Sequence, residues 1–91
     1  MNEQLNHIRQ LINEGHVDTA ISRLNDWLQT ASSPTAEAYY LLGNAYRKKG
    51  DWQGALNNYQ EAIALDPESP ADARKMVMDI LNFYNKDMFN Q

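Results

Sequence analysis

The chain has 91 residues, no cysteine and a formal net charge of −4, from 12 acids against 8 bases. That length makes about one small domain, and the missing cysteines exclude disulfides, thiolate metal sites and cysteine nucleophiles while suiting a reducing compartment. The acidic balance argues against duplex DNA or RNA as a partner, because phosphate binding leans on a basic face.

Almost every stretch reads at helical period, and no alternating or Val/Ile/Thr-rich run predicts a strand, so the fold expected is all-α with five helices. The first helix runs from about Asn2 to Glu14 with Leu5, Ile8, Leu11 and Ile12 on one face, and Gly15 ends it. Its opening, "MNEQLNHIRQ", lacks the apolar run of a secretory signal, and no segment approaches the ~20 apolar residues of a membrane span; the expectation is a cytoplasmic protein with no membrane contact. The second helix follows at once, with Val17, Ala20, Ile21, Leu24, Trp27 and Leu28 three and four apart.

"TASSPT" is the first break, where Ser33 reads as a cap and Pro34 as the first residue of the third helix. That helix carries Tyr39, Leu42, Gly43 and Tyr46 and ends in Arg47, Lys48 and Lys49, charges that suit a helix C-terminus, before Gly50. Asp51 caps the fourth, whose apolar face is Trp52, Ala55, Leu56, Tyr59, Ala62 and Ile63 and which ends at "LDPESP". Ser69 and Pro70 open the fifth, which reaches about Asn85 with Ala73, Met76, Val77, Ile80, Leu81 and Tyr84 on one stripe.

The second and fourth helices align. "GHVDTAISRLNDWL" laid over "GDWQGALNNYQEAI" matches Gly15 with Gly50, Ala20 with Ala55, Leu24 with Tyr59 and Leu28 with Ile63. A two-helix period in the mid-thirties is the mark of a helical repeat array, in which each pair buries its apolar face on its neighbours. Mid-helix Gly43 fits the same picture. It sacrifices roughly 1 kcal/mol of helix propensity, which a close-approaching neighbour helix explains.

From residue 36 to 69, the run Tyr39, Leu42, Gly43, Tyr46, Ala55, Tyr59, Ala62 and Pro67 resembles the tetratricopeptide repeat, whose pattern is an aromatic, Leu-Gly, Tyr, Ala, an aromatic, Ala and Pro at those spacings. The resemblance implies a right-handed superhelical array of antiparallel helix pairs and a single domain over residues 1–91. Residues 1–33 would be a degenerate pair, 34–69 the repeat proper, and 70–91 a C-terminal capping helix. It implies that Gly43, Ala55 and Ala62 are small-residue contact points. The first pair departs from the pattern, with Ile8 or Arg9 in place of the glycine and Trp27 in place of the second alanine, so looser or angularly shifted packing is expected there. Gly54 reads as a solvent-facing position of the fourth helix.

No metalloprotease, serine-hydrolase, P-loop or glycine-rich nucleotide motif occurs, and His7 and His16 are the only histidines. Glu14, His16 and Asp18 alternate across a tight turn, yet three mixed ligands without cysteine read as solvated turn residues. The chain is therefore not read as an enzyme, and no cofactor or metal is assigned.

Tyr40, Asn44 and Arg47 turn together away from the stripe of Tyr39, Leu42, Gly43 and Tyr46. In the resembled family that face lines a concave groove holding an extended peptide. Seven of the eight bases, all but Arg23, lie on the first, third and fifth helices, the groove-forming set. These charges read either as a mildly basic groove or as solvated helix ends. The expected peptide-binding residues are Tyr40, Asn44, Arg47 and Lys48, flanked by Arg9, Asn13, Arg74 and Lys75. The expected partner is a protein or peptide that is acidic or ends in a free carboxylate, bound by a monomer or weak homodimer. The alternative is a self-assembling structural module that homodimerises through Phe83, Met88 and Phe89 of the C-terminal helix.

Overall fold

The computed structural model describes residues 3–30, 35–68 and 76–81. Four helices, α1 (Glu3–Asn13), α2 (Val17–Thr30), α3 (Ala36–Lys49) and α4 (Trp52–Leu65), follow one another through short turns. A fifth helical stretch, α5, covers residues 76–81, and there is no strand among the described residues. The fold is the all-helical array of helix pairs anticipated from periodicity.

The two pairs are closed by the same turn. The N–H of Gly15 bonds the carbonyl of Ile12 and that of His16 the carbonyl of Leu11; 35 residues on, Gly50 bonds Arg47 and Asp51 bonds Tyr46 in the same pattern. Both glycines have φ of 91°, the left-handed conformation that side chains disfavour. Each turn thereby satisfies carbonyls that a helix end leaves open and sends the chain back antiparallel. The next helix then begins identically: Ala20 donates to His16 and Ala55 to Asp51, and both alanines are wholly buried.

α3 is the central element, in contact with α1, α2 and α4, which is why Ala38, Leu41, Leu42, Gly43 and Ala45 are buried on more than one stripe. The pairing of α3 with α4 is the most extensive contact between the four helices, and that of α1, the shortest of them, with α2 is smaller. A Cβ built on Gly43 would lie within 2.9 Å of three ring atoms of Tyr59, whose side chain is fully buried. The glycine makes room for an aromatic ring. At the equivalent positions of the first pair stand Ile8 and Leu24, both buried in one cluster with Leu5 and Ile12. A small-plus-large pair has been exchanged for two medium side chains, which preserves volume at the helix crossing.

Three expectations need correction. α3 starts not at Pro34 behind Ser33 but at Ala36, with Thr35 as the cap: its hydroxyl accepts from the Ala38 N–H at 3.3 Å. Gly54 does not face open solvent, because a Cβ there would meet Asp51 Oδ2 at 2.8 Å and the Tyr46 ring at 3.1 Å. Asp51 is held there because its carboxylate caps the Gly54 N–H at 2.9 Å. Trp52, placed on the core stripe by spacing, is 38% exposed. At the first position of α4 it lines a surface cleft with Arg47 and Lys48 of α3.

α5 lies on the second pair. Ile80 is buried with Ala55, Leu56, Tyr59 and Ala62, and Met76 and Val77 pack beside them. The rest of the anticipated fifth helix, with Phe83, Met88 and Phe89, lies outside the described residues.

Candidate functional site

Two residues three or four apart share a helix face, and α1 and α3 present such faces to one another. Arg9, Ile12 and Asn13 from α1 and Leu41, Asn44, Arg47 and Lys48 from α3, with Trp52 at the start of α4, line a cleft of about 370 Å³. Ile12 and Leu41 are buried, giving an apolar floor beneath polar walls. Five of the eight residues singled out from sequence, Arg9, Asn13, Asn44, Arg47 and Lys48, are thus brought together.

Tyr40 is placed differently. It is half-buried, its ring tilted 46° against that of Tyr59 with centroids 5.8 Å apart, and it belongs to the cluster around α4. Arg74 and Lys75 lie outside the described residues.

Arg9, Lys48 and Asn44 of the cleft are each held by a neighbour. Arg9 donates to Glu37 at 2.7 Å across α1 and α3, an ion pair with both side chains about half exposed and so of small net strength. Lys48 Nζ donates to the carbonyl of Asn13 at 3.3 Å, near the negative end of α1. Asn44 Oδ1 accepts from the Tyr59 hydroxyl at 2.5 Å, leaving the amide's two N–H donors for other partners. Burial pushes the Tyr59 hydroxyl up to about 12, with the charge and hydrogen bonding of Arg47 pulling the other way. Arg47, Asn44 and Tyr59 therefore form one connected polar group. The cleft is rich in donors and offers little to a ligand that must donate.

A second cleft, of about 240 Å³, is lined by Arg47, Trp52, Met76, Asp79 and Ile80. Sequence reasoning named none of these except Arg47 as site residues. Spacing puts Trp52 on the core stripe, so its place in a surface cleft has no signal in the sequence. A larger cavity of about 440 Å³ lies between α1 and α2, lined by residues that include Glu3, Asp26, Arg23 and Trp27. Its two acids, Glu3 and Asp26, outnumber its one base, Arg23, whereas three bases, Arg9, Arg47 and Lys48, concentrate in the smaller α1–α3 cleft and favour it as an acid-binding site.

The turn residues considered as metal ligands are otherwise engaged. Asp18 accepts from Lys49 at 2.9 Å, a hydrogen bond that raises the lysine above its ordinary value, and Glu14 accepts from Gln10. Among the described residues no group of three or more His, Asp or Glu is placed to hold a metal ion. No helix of the described residues is long and apolar enough to cross a membrane.

Comparison with known proteins places this geometry in context. The chain resembles a Bacteroides fragilis protein whose solution structure was determined by NMR, at 64% identity and a TM-score of 0.81 over 99% of this chain and 92% of that one. It is also 37% identical over 68 residues to the probable biofilm formation methyltransferase WspC of Pseudomonas putida. That match takes in 75% of this chain and only 16% of the relative's length. Residues 36–69 match the tetratricopeptide repeat, the window holding Gly43, Tyr59 and the α3 wall of the cleft. Residues 36–69 are thus a tetratricopeptide repeat, a motif that serves generally as a protein–protein interaction module.

Proposed function

We propose that the chain is a non-catalytic module that binds an extended segment of a partner protein in the groove between α1 and α3. Arg9, Asn13, Asn44, Arg47 and Lys48 are its contact residues, and acidic side chains or a free C-terminal carboxylate are what they recognise. The observation that carries this reading is the convergence of those five residues on one cleft of about 370 Å³ with an apolar floor. Arginine engages a carboxylate through two parallel hydrogen bonds, lysine adds a point charge, and an oriented asparagine amide donates to a peptide carbonyl. Tyr40 acts as a support for Tyr59, with Arg74 and Lys75 as flanking contacts from the following segment. The cysteine-free composition accords with work in a reducing, cytoplasmic setting.

Titration of short acidic peptides with free C-termini into wild type and an Arg47→Glu, Lys48→Glu variant tests the proposal. Charge reversal should weaken binding by at least about tenfold, and wild-type affinity should fall with salt because the charges are exposed. Binding indifferent to both would reject the proposal.

A second reading has its own observation. Met78 and Leu81 on α5 are 57% and 39% exposed, an apolar pair on the element proposed for homodimer contact. Size-exclusion chromatography over a concentration series separates the two readings: a shift to twice the mass favours self-assembly, and a constant elution volume favours the peptide groove.

A further inference from the structure

The cavity of about 440 Å³ between α1 and α2 shares no lining residue with the two clefts and falls within the roughly 300–1,000 Å³ of small-molecule sites. A shift of 35 residues, which carries Gly15 to Gly50, carries Gln4 to Tyr39, His7 to Leu42 and Trp27 to Ala62. Tyr39 and Leu42 pack on the first pair's core, and Ala62 is wholly buried. Their counterparts line the cavity instead: Gln4 and His7 are exposed, and Trp27 is half-buried. Polar residues at the first two positions suit the solvent-facing end of an array. A tryptophan does not. Solubility asks for a polar residue there, and packing in the second pair asks for nothing larger than alanine.

Charge narrows what the cavity can hold. Glu3 and Asp26 set two acids on its lining against one base, Arg23, and neither acid is in an ion pair among the described residues. The last turn of α2 carries no basic side chain, whereas that of α3 carries Arg47, Lys48 and Lys49. The negative end of α2, beside Asp26 and Trp27, is therefore not offset by a cation of its own turn. Trp27 packs on the first pair's core with part of its surface and turns the remainder to the cavity, and indole is the side chain whose face attracts cations best.

We propose that this cavity binds a small organic monocation with an apolar body, a quaternary ammonium on an aromatic or alkyl group, independently of the α1–α3 groove. Glu3, Asp26 and the end of α2 hold the positive charge, and the apolar body buries its surface against Trp27. Two acids against one base leave one net negative charge for the ligand to neutralise. Arg23, three residues before Asp26 on the same face of α2, opposes the cation and limits its affinity. The two carboxylates disfavour an anion.

The experiment uses the full chain at about pH 8, where ordinary histidines are neutral, and three probes that share a phenyl ring: benzyltrimethylammonium, neutral benzyl alcohol and anionic phenylacetate. The cation should shift the Trp27 indole N–H resonance while that of Trp52 stays in place. It should bind at least about tenfold more tightly than the alcohol or the anion, with an affinity that falls as salt rises. Glu3→Gln combined with Asp26→Asn should abolish that preference, and Arg23→Gln should raise the cation's affinity several-fold; unaltered thermal melts would show that these surface variants fold. Equal binding of cation and alcohol, a preference that survives neutralisation of both acids, or an unmoved Trp27 resonance at about 10 mM cation would overturn the proposal.

Discussion

The buried hydroxyl of Tyr59 donates to Asn44 Oδ1 at 2.5 Å, so an α4 core side chain sets which way a groove amide on α3 faces. Tyr59→Phe keeps the ring that Gly43 accommodates and removes the hydroxyl's links to Asn44 and Arg47. Stability should fall by about 1 kcal/mol in urea melts, since the half-exposed amide can turn to water. Peptide affinity should fall with it, and the Asn44 side-chain amide resonances should move in the free protein.

The same hydroxyl predicts an alkaline response. Its folded value, pushed up to about 12, lies above a tyrosine's ordinary 10.0, so the contribution of neutral Tyr59 is complete below about pH 10 and is lost as pH rises through about 12. Wild type should therefore lose stability more steeply across that window than Tyr59→Phe. Phenolate absorption should show the variant lacking a tyrosine that ionises near pH 12.

Gly43→Ala should destabilise the protein by about 1–2 kcal/mol despite the helix propensity it gains, because the new methyl meets the Tyr59 ring; Gly43→Leu should cost about 2–4 kcal/mol. The first pair, with Ile8 and Leu24 at these positions, shows the compensating solution. Combining Gly43→Ala with Tyr59→Leu should therefore cost less than the sum of the two single changes by about 1 kcal/mol. Simple additivity in urea melts would mean that the two residues do not compete for the same space.

Gly15→Ala and Gly50→Ala should each cost about 1–2 kcal/mol and by similar amounts, since both positions have φ of 91° and neither added methyl meets a neighbour within 4 Å. Gly54→Ala behaves differently. Its gain in helix propensity is offset by displacement of the Asp51 cap, so melts should show a change near zero.

Much of this architecture is legible in the residues because the signals are local. Gly15 and Gly50 stop helices through their own backbone preference, and Leu5, Ile8 and Ile12 mark a buried face by spacing alone. Gly43 announces a close approach, but that the visitor is Tyr59 depends on the crossing of α3 and α4. Gly54 was misread for that reason: it lies off the α4 stripe, yet the last turn of α3 brings Tyr46 to it. Ser33 and Thr35 are both competent caps two residues apart, and local preference does not choose between them. For the groove, periodicity puts Asn44 and Arg47 on one face of α3, and Arg9 and Asn13 meet them because repeat pairs stack α1 beside α3. Tyr40 shares that face by spacing, but its ring has enough reach to join Tyr59, a choice made by tertiary contact.

The most direct test of the central claim is a map of backbone and side-chain amide shifts during titration with a short acidic peptide bearing a free C-terminus. Binding in the groove predicts shifts concentrated at Arg9, Asn13, Asn44, Arg47 and Lys48 and lost in the Arg47→Glu, Lys48→Glu variant. Shifts confined to the outward faces of α2 and α4, with those five residues unmoved, would contradict it and place the interaction surface on the opposite side of the array.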